Sequence, residues 1–325
     1  MFAADYLELS NTVPVLISMR PEKTLKERVY LIDASIYVFR AWFSYPDDVT
    51  DSNGHTVNAV HGYADFLTSL MRQLKPRHIA CAFDGSLSTS FRNEIYPAYK
   101  ANREPAPAEL KYQFDLCRRF TRAMGISECV SDRFEADDLI GTMASMMAAA
   151  GHPVTVITSD KDLTQLLQNE HDRWWDYARN VQLDHGGVEQ RFGVRPDQIA
   201  DFLALAGDAV DNIPGVPGIG AKTAADLLQR YNSLDGIYQH LHQVDACGVR
   251  GAVRIKRLLT EYETDARLAR QLTVVSDQAP LDSKPSSLEW QGINRAQIEE
   301  ISDELGFSLF RRRHWLELKQ AGEQY

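Results

Sequence analysis

Nine acidic residues fall in five separated blocks of the chain, each ending or following a stretch with the character of a strand. The blocks read Leu31-Ile32-Asp33-Ala34-Ser35, Ala82-Phe83-Asp84-Gly85, Glu135-Ala136-Asp137-Asp138, Ser159-Asp160-Lys161-Asp162 and Gly207-Asp208-Ala209-Val210-Asp211-Asn212. Carboxylates brought together repel: two unit charges ~4 Å apart cost about 4 kcal/mol at an effective dielectric of ~20. A fold that gathers them needs cations in the same place. Hard oxygen donors without His or Cys select Mg2+, with Mn2+ as a substitute. Two such ions can bracket a phosphodiester, so the chemistry expected is phosphodiester hydrolysis.

The spacing within blocks supports convergence. Asp160 and Asp162 are two apart, so an extended strand end points both the same way. Glu135 and Asp138 are three apart, on one face of a helix's first turn, and Asp137 joins them only if the helix begins between. Asp208 and Asp211 repeat the three-residue spacing. Any one block also fits a helix cap, because acidic side chains accept from free amides and complement the helix dipole. Five blocks together do not reduce to caps. Neither HxxxH nor paired cysteines supply a zinc site, and no GxSxG elbow supplies a serine nucleophile.

These carboxylates need a scaffold, and an α/β pattern provides one. Strands are expected at 29–32, 78–83, 126–130 and 154–158, with helices at 57–74, 108–124, 136–150 and 161–167. Strands alternating with helices imply a mostly parallel sheet flanked by helices, with sites beyond the carboxyl ends of the strands. Asp33, Asp84 and Asp160 occupy that position. Residues 1–27 read as a loose extension. Residues 86–108, with Pro97, Pro105 and Pro107, read as an exposed loop or arch. From about Pro196 helices dominate, which sets domains at 28–195 and 196–325, and residues 296–318 are placed back against the first domain.

At 325 residues the chain buries a substantial core, and 44% hydrophobic with 25% charged residues is ordinary for a globular protein. The net charge of -10 argues at first against nucleic acid, but the suspected ligands nearly account for it. Lys and Arg concentrate around 92–122 and 250–270. Four scattered cysteines, Cys81, Cys117, Cys129 and Cys247, fit reduced thiols. Without a membrane span or signal peptide, the expected compartment is the cytoplasm.

Two further segments point to a polyanionic partner. Ile213-Pro214-Gly215-Val216-Pro217-Gly218-Ile219-Gly220-Ala221-Lys222-Thr223 superficially resembles a P-loop, but an extra Ala separates Gly220 from Lys222 and a helix precedes it. Two helices, 197–206 and 221–231, instead bracket a tight glycine turn. Gly218 and Gly220 leave amides open to phosphate at the positive end of the second helix. This is the logic of a helix-hairpin-helix, with Gly215, Gly218, Gly220, Lys222 and Thr223 as the DNA-backbone contacts. In the arch, Arg92, Lys100 and Arg103 would neutralise phosphate while Tyr99 stacks on an unpaired base.

In this order the motifs closely resemble the five-prime nuclease family: the N-terminal domain of bacterial DNA polymerase I, phage five-prime exonucleases and flap endonucleases. The resemblance runs from about residue 29 to 275 and includes Ser90-Phe91-Arg92, Tyr99-Lys100-Ala101-Asn102-Arg103, the Glu135 block, Ser159-Asp160-Lys161-Asp162-Leu163 and the segment 207–223. It implies a PIN-like α/β domain, a helical arch, and a C-terminal helical region whose hairpin often holds K+ through backbone carbonyls. By that likeness Asp33, Asp84, Glu135, Asp137 and Asp138 serve mainly a first metal, and Asp160, Asp162, Asp208 and Asp211 a second. Lys100 and Arg103 would touch the scissile phosphate, with Arg92 and Arg40 in support.

The expected activity is therefore Mg2+-dependent five-prime to three-prime exonuclease and flap endonuclease action on DNA flaps, nicks, duplex ends or RNA-primer ends. Two ions about 3.5–4 Å apart would activate water and stabilise the leaving 3′-oxygen. With no polymerase domain following, a stand-alone enzyme is expected. The rivals are a PIN-type ribonuclease, against which the hairpin argues, and a non-catalytic branched-DNA binder, against which the intact acids argue.

Overall fold

Val29, Leu31 and Ile32 are fully buried, and the strand they form is covered on both faces, as a central parallel strand must be. The computed structural model describes residues 26–86, 89–282 and 284–318, so nearly all of the expected extension 1–27 lies outside the described residues. Strand β1 (Val29–Asp33) leads directly into helix α1 (Ala34–Ser44), followed by α2 (Asn58–Leu74), β2 (His78–Asp84), α3 (Phe91–Ile95) and α4 (Ala108–Ala123). Then come β3 (Ser127–Ser131), α5 (Ala136–Ala149), β4 (Val154–Ile157), β5 (Arg173–Asp176), β6 (Val181–Leu183) and α6 (His185–Phe192). The remainder is helical: α7 (Ile199–Ala206), α8 (Ala221–Tyr231), α9 (Leu234–Gln239), α10 (Ala252–Glu261), α11 (Glu263–Thr273), α12 (Arg295–Leu305) and α13 (Leu309–Leu316).

The sheet order is β3-β2-β1-β4-β5-β6, parallel except for the antiparallel β5–β6 pair. The chain builds outward from β1 through β2 and β3, then returns to the other side of β1 with β4. That reversal is the switch point where an open sheet leaves a crevice at its carboxyl edge. Alternation along the strands divides the core. Val29, Leu31, Ala80, Ala82, Val154 and Val156 face α5 and the later helices, whereas Ile32, Ile79, Cys81, Phe83 and Ile157 face α1, α2 and α4.

Several elements depart from the expectations above. Helix α1 shows no clean helical period because its apolar residues run from the buried face round to the exposed Phe43. Strands β5 and β6 are too short to show one. The expected helix at 161–167 is a tight 3-10 turn, Lys161–Leu166, which begins where the Asp160 side chain accepts the Asp162 amide at 2.8 Å. A shorter 3-10 turn, Pro196–Gln198, likewise precedes α7.

Helices α12 and α13 lie against α2 and α4. Trp315 Nε1 donates to Thr68 Oγ1 at 2.6 Å, Arg311 pairs with Asp65 at 2.7 Å, and Arg119 grips Glu304 through two bonds. Among the described residues no helix is long and apolar enough to cross a membrane.

Candidate active site

Strand ends and helix starts deliver the carboxylates. Asp33 closes β1 and is buried, with Oδ2 accepting from Thr158 Oγ1 at 2.9 Å. Asp84 closes β2, and its Oδ1 accepts the Ala136 amide at the start of α5 at 2.9 Å. Glu135 is the N-cap of α5 and Asp137 sits in its first turn. Asp160 and Asp162 follow β4. Asp208 and Asp211 lie in the loop after α7, which is pinched by paired backbone bonds between Asp208 and Ile213 at 2.9 and 2.7 Å.

Their proximity shows in their acidity. Loss of water raises the Asp33 carboxyl from its ordinary 3.8 to about 8, with the charges of Asp84 and Asp160 adding to it. Asp162 rises to about 7, first through burial and then through Asp160. Burial followed by Asp160 and Asp33 pushes Asp137 well up, and Asp84 and Asp160 also rise, chiefly through burial. Such groups release protons readily only beside compensating positive charge.

Two lysines supply part of that charge. Lys100 Nζ lies 2.5 Å from Glu135 Oε1 and 3.8 Å from Asp211 Oδ2, while Lys161 Nζ lies 2.8 Å from Asp208 Oδ2 and 3.2 Å from Asp162 Oδ1. Burial acts to raise Glu135 and Asp208, but these cations hold both below the ordinary carboxylate range. As placed, no three acidic, imidazole or thiol groups among the described residues enclose a common metal-sized point. The donors nevertheless fit hard divalent cations: all are oxygens, they are drawn into one crevice, and several are held back from ionising for want of neighbouring positive charge.

Other expected site residues have different work. Asp138 is fully buried, and both oxygens are saturated. Oδ2 accepts from Arg92 Nη1 at 2.7 Å and the Glu135 amide at 3.1 Å, and Oδ1 accepts from Arg92 Nη2 at 2.8 Å and the Ser276 amide at 2.8 Å. A carboxylate so engaged is a structural partner, not an available metal ligand. Arg92 is buried as well and donates further to the carbonyls of Leu272 and Val274, so it braces the site from below instead of meeting solvent. Tyr99 is 4% exposed and donates to Glu135 Oε2 at 3.0 Å, so its ring offers no stacking surface.

The arch itself folds onto the Asp208–Asp211 loop instead of standing free. Lys100 N donates to Asp211 O at 3.0 Å, Asn212 Nδ2 to Ala98 O at 2.7 Å and Asn102 Nδ2 to Ala209 O at 3.1 Å, and Arg103 pairs with Asp211. Arg40 is exposed on α1 and lines a separate cleft with Tyr45, Asp65 and Tyr177. No motif in the sequence marks the wall of the crevice beside Asp84 and Lys100. There Phe39, Trp42 and the 81% exposed Phe43 of α1 line a cleft of about 570 Å³.

In the hairpin, Gly218, Gly220 and Lys222 are exposed, Thr223 is half-buried, and α8 starts at Gly220 with no side-chain cap on its amides. Gly215 differs. It is buried at φ +60, and a Cβ there would lie 2.3 Å from Gly207 N, so its role is close backbone packing. Exposed Arg254 of α10, unnoticed in the sequence, brings its guanidinium to the turn, where a Cβ on Gly218 would meet Nη2 at 2.6 Å.

Comparison with known proteins accords with this geometry. Residues 28–193 match the family model described as 5'-3' exonuclease, N-terminal resolvase-like domain, and residues 194–296 match 5'-3' exonuclease, C-terminal SAM fold. The chain belongs to the 5'-3' exonuclease family. DNA polymerase I of Bacillus subtilis (strain 168) is 34% identical over 296 residues, covering 88% of this chain and 32% of that protein. The Pseudomonas aeruginosa DNA polymerase I is 38% identical over 299 residues, covering 90% and 32% respectively. The chain thus spans about a third of the length of these relatives. Among solved structures, T5 5'-exonuclease with divalent metal ions (zinc) bound shares the fold at a TM-score of 0.62 and 19% identity, covering 90% of this chain and 99% of that one. The catalytic core of Rad2 in complex with DNA substrate gives 0.60 at 12% identity, covering 90% and 92%.

Proposed function

We propose that this exonuclease-family chain hydrolyses phosphodiester bonds at the 5′ ends of DNA strands, acting on flaps, nicks, duplex ends and RNA primers on DNA. What supports this reading most is the meeting of carboxylates from five segments beyond the carboxyl edge of the sheet, with Asp33 raised to about 8 by burial and by its neighbours. Mg2+, or Mn2+ in its place, would be held by Asp33, Asp84, Glu135 and Asp137 on one side and by Asp160, Asp162, Asp208 and Asp211 on the other. Bound there, divalent ions would supply an acidified water and stabilise charge on the phosphate and leaving oxygens.

The chain's own residues would do the rest. Lys100, at φ +54 in the base of the arch, and Arg103 would leave Glu135 and Asp211 and turn to the scissile phosphate as charge develops there. Phe39, Trp42 and Phe43 would line the path of the 5′ strand and stack on its unpaired bases. Gly218, Gly220, Lys222 and Thr223, with Arg254 beside them, would grip the duplex backbone without reading sequence. Carbonyls of the same turn are the donors a K+ ion would need. In this division of labour, residues 28–195 carry most of the chemistry, and 196–325 add Asp208 and Asp211 and grip the duplex. The solved neighbours described with divalent ions and with DNA substrate support the same classes of partner.

The test is cleavage of a 5′-labelled flap and of a nicked duplex, with Mg2+ and with chelator, beside an all-RNA single strand. Metal-dependent release of short 5′ products from the DNA substrates is expected. Binding of flaps without cleavage in Mg2+ or Mn2+, or cleavage confined to the RNA strand, would overturn the proposal.

A further inference from the structure

The chain places a lysine between two of its acidic residues, Asp160 and Asp162, and the fold turns that lysine back into the crevice. Lys161 Nζ spans Asp208 Oδ2 at 2.8 Å and Asp162 Oδ1 at 3.2 Å. Asp162 Oδ1 is buried and accepts no hydrogen bond from the described residues, and the Lys161 ammonium beside it offsets part of its charge. The two carboxylates come from different segments, the turn after β4 and the loop after α7. The lysine therefore ties together the group of acids suited to the second metal.

Lys161 is also able to leave. Its side chain is 48% exposed, whereas that of Arg92, which is locked on Asp138, is 3% exposed. A flexible lysine stem can carry its ammonium from carboxylate to water without disturbing the core. A divalent ion using the same oxygens meets the ammonium as a competitor, because like charges at a few ångströms repel and the oxygens have a limited number of lone pairs.

We propose that Lys161 is a tethered counter-ion of the second carboxylate group: it pairs with Asp162 and Asp208 in the metal-free protein and must withdraw for a divalent cation to occupy them. This rests on the metal reading given above and adds a cost to it. Filling the group around Asp162 and Asp208 requires that the lysine be displaced.

Two measurements test it. Calorimetric titration of Mg2+ and Mn2+ into the full chain compares the parent with Lys161→Met, which keeps the stem and loses the charge, and Lys161→Arg, which keeps the charge. The methionine variant should bind one class of its divalent ions roughly tenfold tighter, the effect of removing a unit charge from beside a doubly charged ion under nearly aqueous screening. The arginine variant should bind no tighter than the parent. In the unsubstituted protein, acylation of Lys161 by an amine reagent should accelerate when Mg2+ is added, while exposed Lys75 reacts at an unchanged rate. Equal or weaker binding in Lys161→Met, or Lys161 reactivity indifferent to metal, overturns the counter-ion while leaving the metal reading intact. No divalent binding by any of the three proteins overturns both.

Discussion

Replacing Asp138 with Asn separates a structural carboxylate from a metal ligand, because the two roles give opposite signs in metal-free protein. Asp138 and Arg92 are buried together, with side chains 0% and 3% exposed, and Asp138 takes four hydrogen bonds. An Asn in its place removes the charge and turns an NH2 toward a guanidinium or an amide, both donors. Breaking one side of a buried ion pair costs about 3–5 kcal/mol. Arg92 retains Glu135 at 3.0 Å and two backbone carbonyls, which places the cost at the lower end. About 3 kcal/mol is a large share of the roughly 5–15 kcal/mol that holds a typical domain. Asp33→Asn acts the other way: it removes a buried carboxyl that must either take up a proton or crowd Asp84 and Asp160 with its charge, and it leaves an oxygen for Thr158. Urea unfolding in chelator, followed by fluorescence, should show Asp138→Asn with a lower midpoint and Asp33→Asn with a higher one. Repeating both in Mg2+ completes the assay. Asp138→Asn should keep the parent's metal-induced gain and Asp33→Asn should lose much of it. If Asp138→Asn matches the parent in chelator and loses the gain in Mg2+, Asp138 is a ligand and the structural assignment is wrong.

Other perturbations follow from the same charges. Asp33, at about 8, and Asp162, at about 7, hold protons in the fold that the unfolded chain releases near 4. Stability in chelator should therefore fall as pH rises from about 5 to about 8, and Mg2+ should flatten that slope by replacing the protons. Glu135 and Asp208, shifted downward, lose their contribution only below that window, so urea midpoints that stay level or rise in chelator would contradict the shared cluster. Lys100→Ala should slow single-turnover cleavage at saturating enzyme by about two to three decades while changing affinity little, as expected of a contact to developing charge; parental rates at saturation would make Lys100 a docking charge. Gly220→Val should weaken duplex affinity with little loss of stability, because φ is −96 and nothing lies within 4 Å of a Cβ there. Unchanged affinity measured by fluorescence anisotropy would remove the turn from the duplex interface.

The sequence revealed which carboxylates stand at strand ends, because a buried strand followed by Asp fixes both position and direction. Asp33, Asp84 and Asp160 needed nothing more. Asp137 and Asp138 were harder, since adjacent residues in a first helical turn point to different sides and only the start of α5 decides between them. With Glu135 as N-cap, Asp138 reaches back to the Glu135 amide as a capping box and finds Arg92, while Asp137 is left to the crevice. The Glu-x-x-Asp spacing was visible as a cap signature, but Arg92 arrives from a segment 46 residues earlier in sequence. Tyr99 misled for a related reason: an aromatic among cations looks the same whether the ring meets a base or fills a core. Phe39, Trp42 and Phe43 stayed hidden because α1 has no clean apolar stripe.

The loop after α7 joins the two halves of the proposed reaction. It carries Asp208 and Asp211, then turns into the glycine hairpin and α8 within a few residues, and backbone contacts brace it at several points. Asp208 and Ile213 exchange backbone bonds, Val216 N donates to Leu205 O at 2.9 Å, and Gly215 packs against Gly207 so closely that no side chain fits between them. The base of the arch is fastened to the same loop through Asn212 and Asn102. Asn212 sits at φ +57, a left-handed conformation that Asn tolerates better than most residues. A duplex phosphate held at Gly220 would thus stand at a fixed offset from Asp208 and Asp211, and a shift of that phosphate would be felt by Lys100 through its amide bond to Asp211. Under the proposed function, the distance from the duplex to the cut is set by this backbone, not by any contact to a base, which is how an enzyme indifferent to sequence can still cut at a defined place.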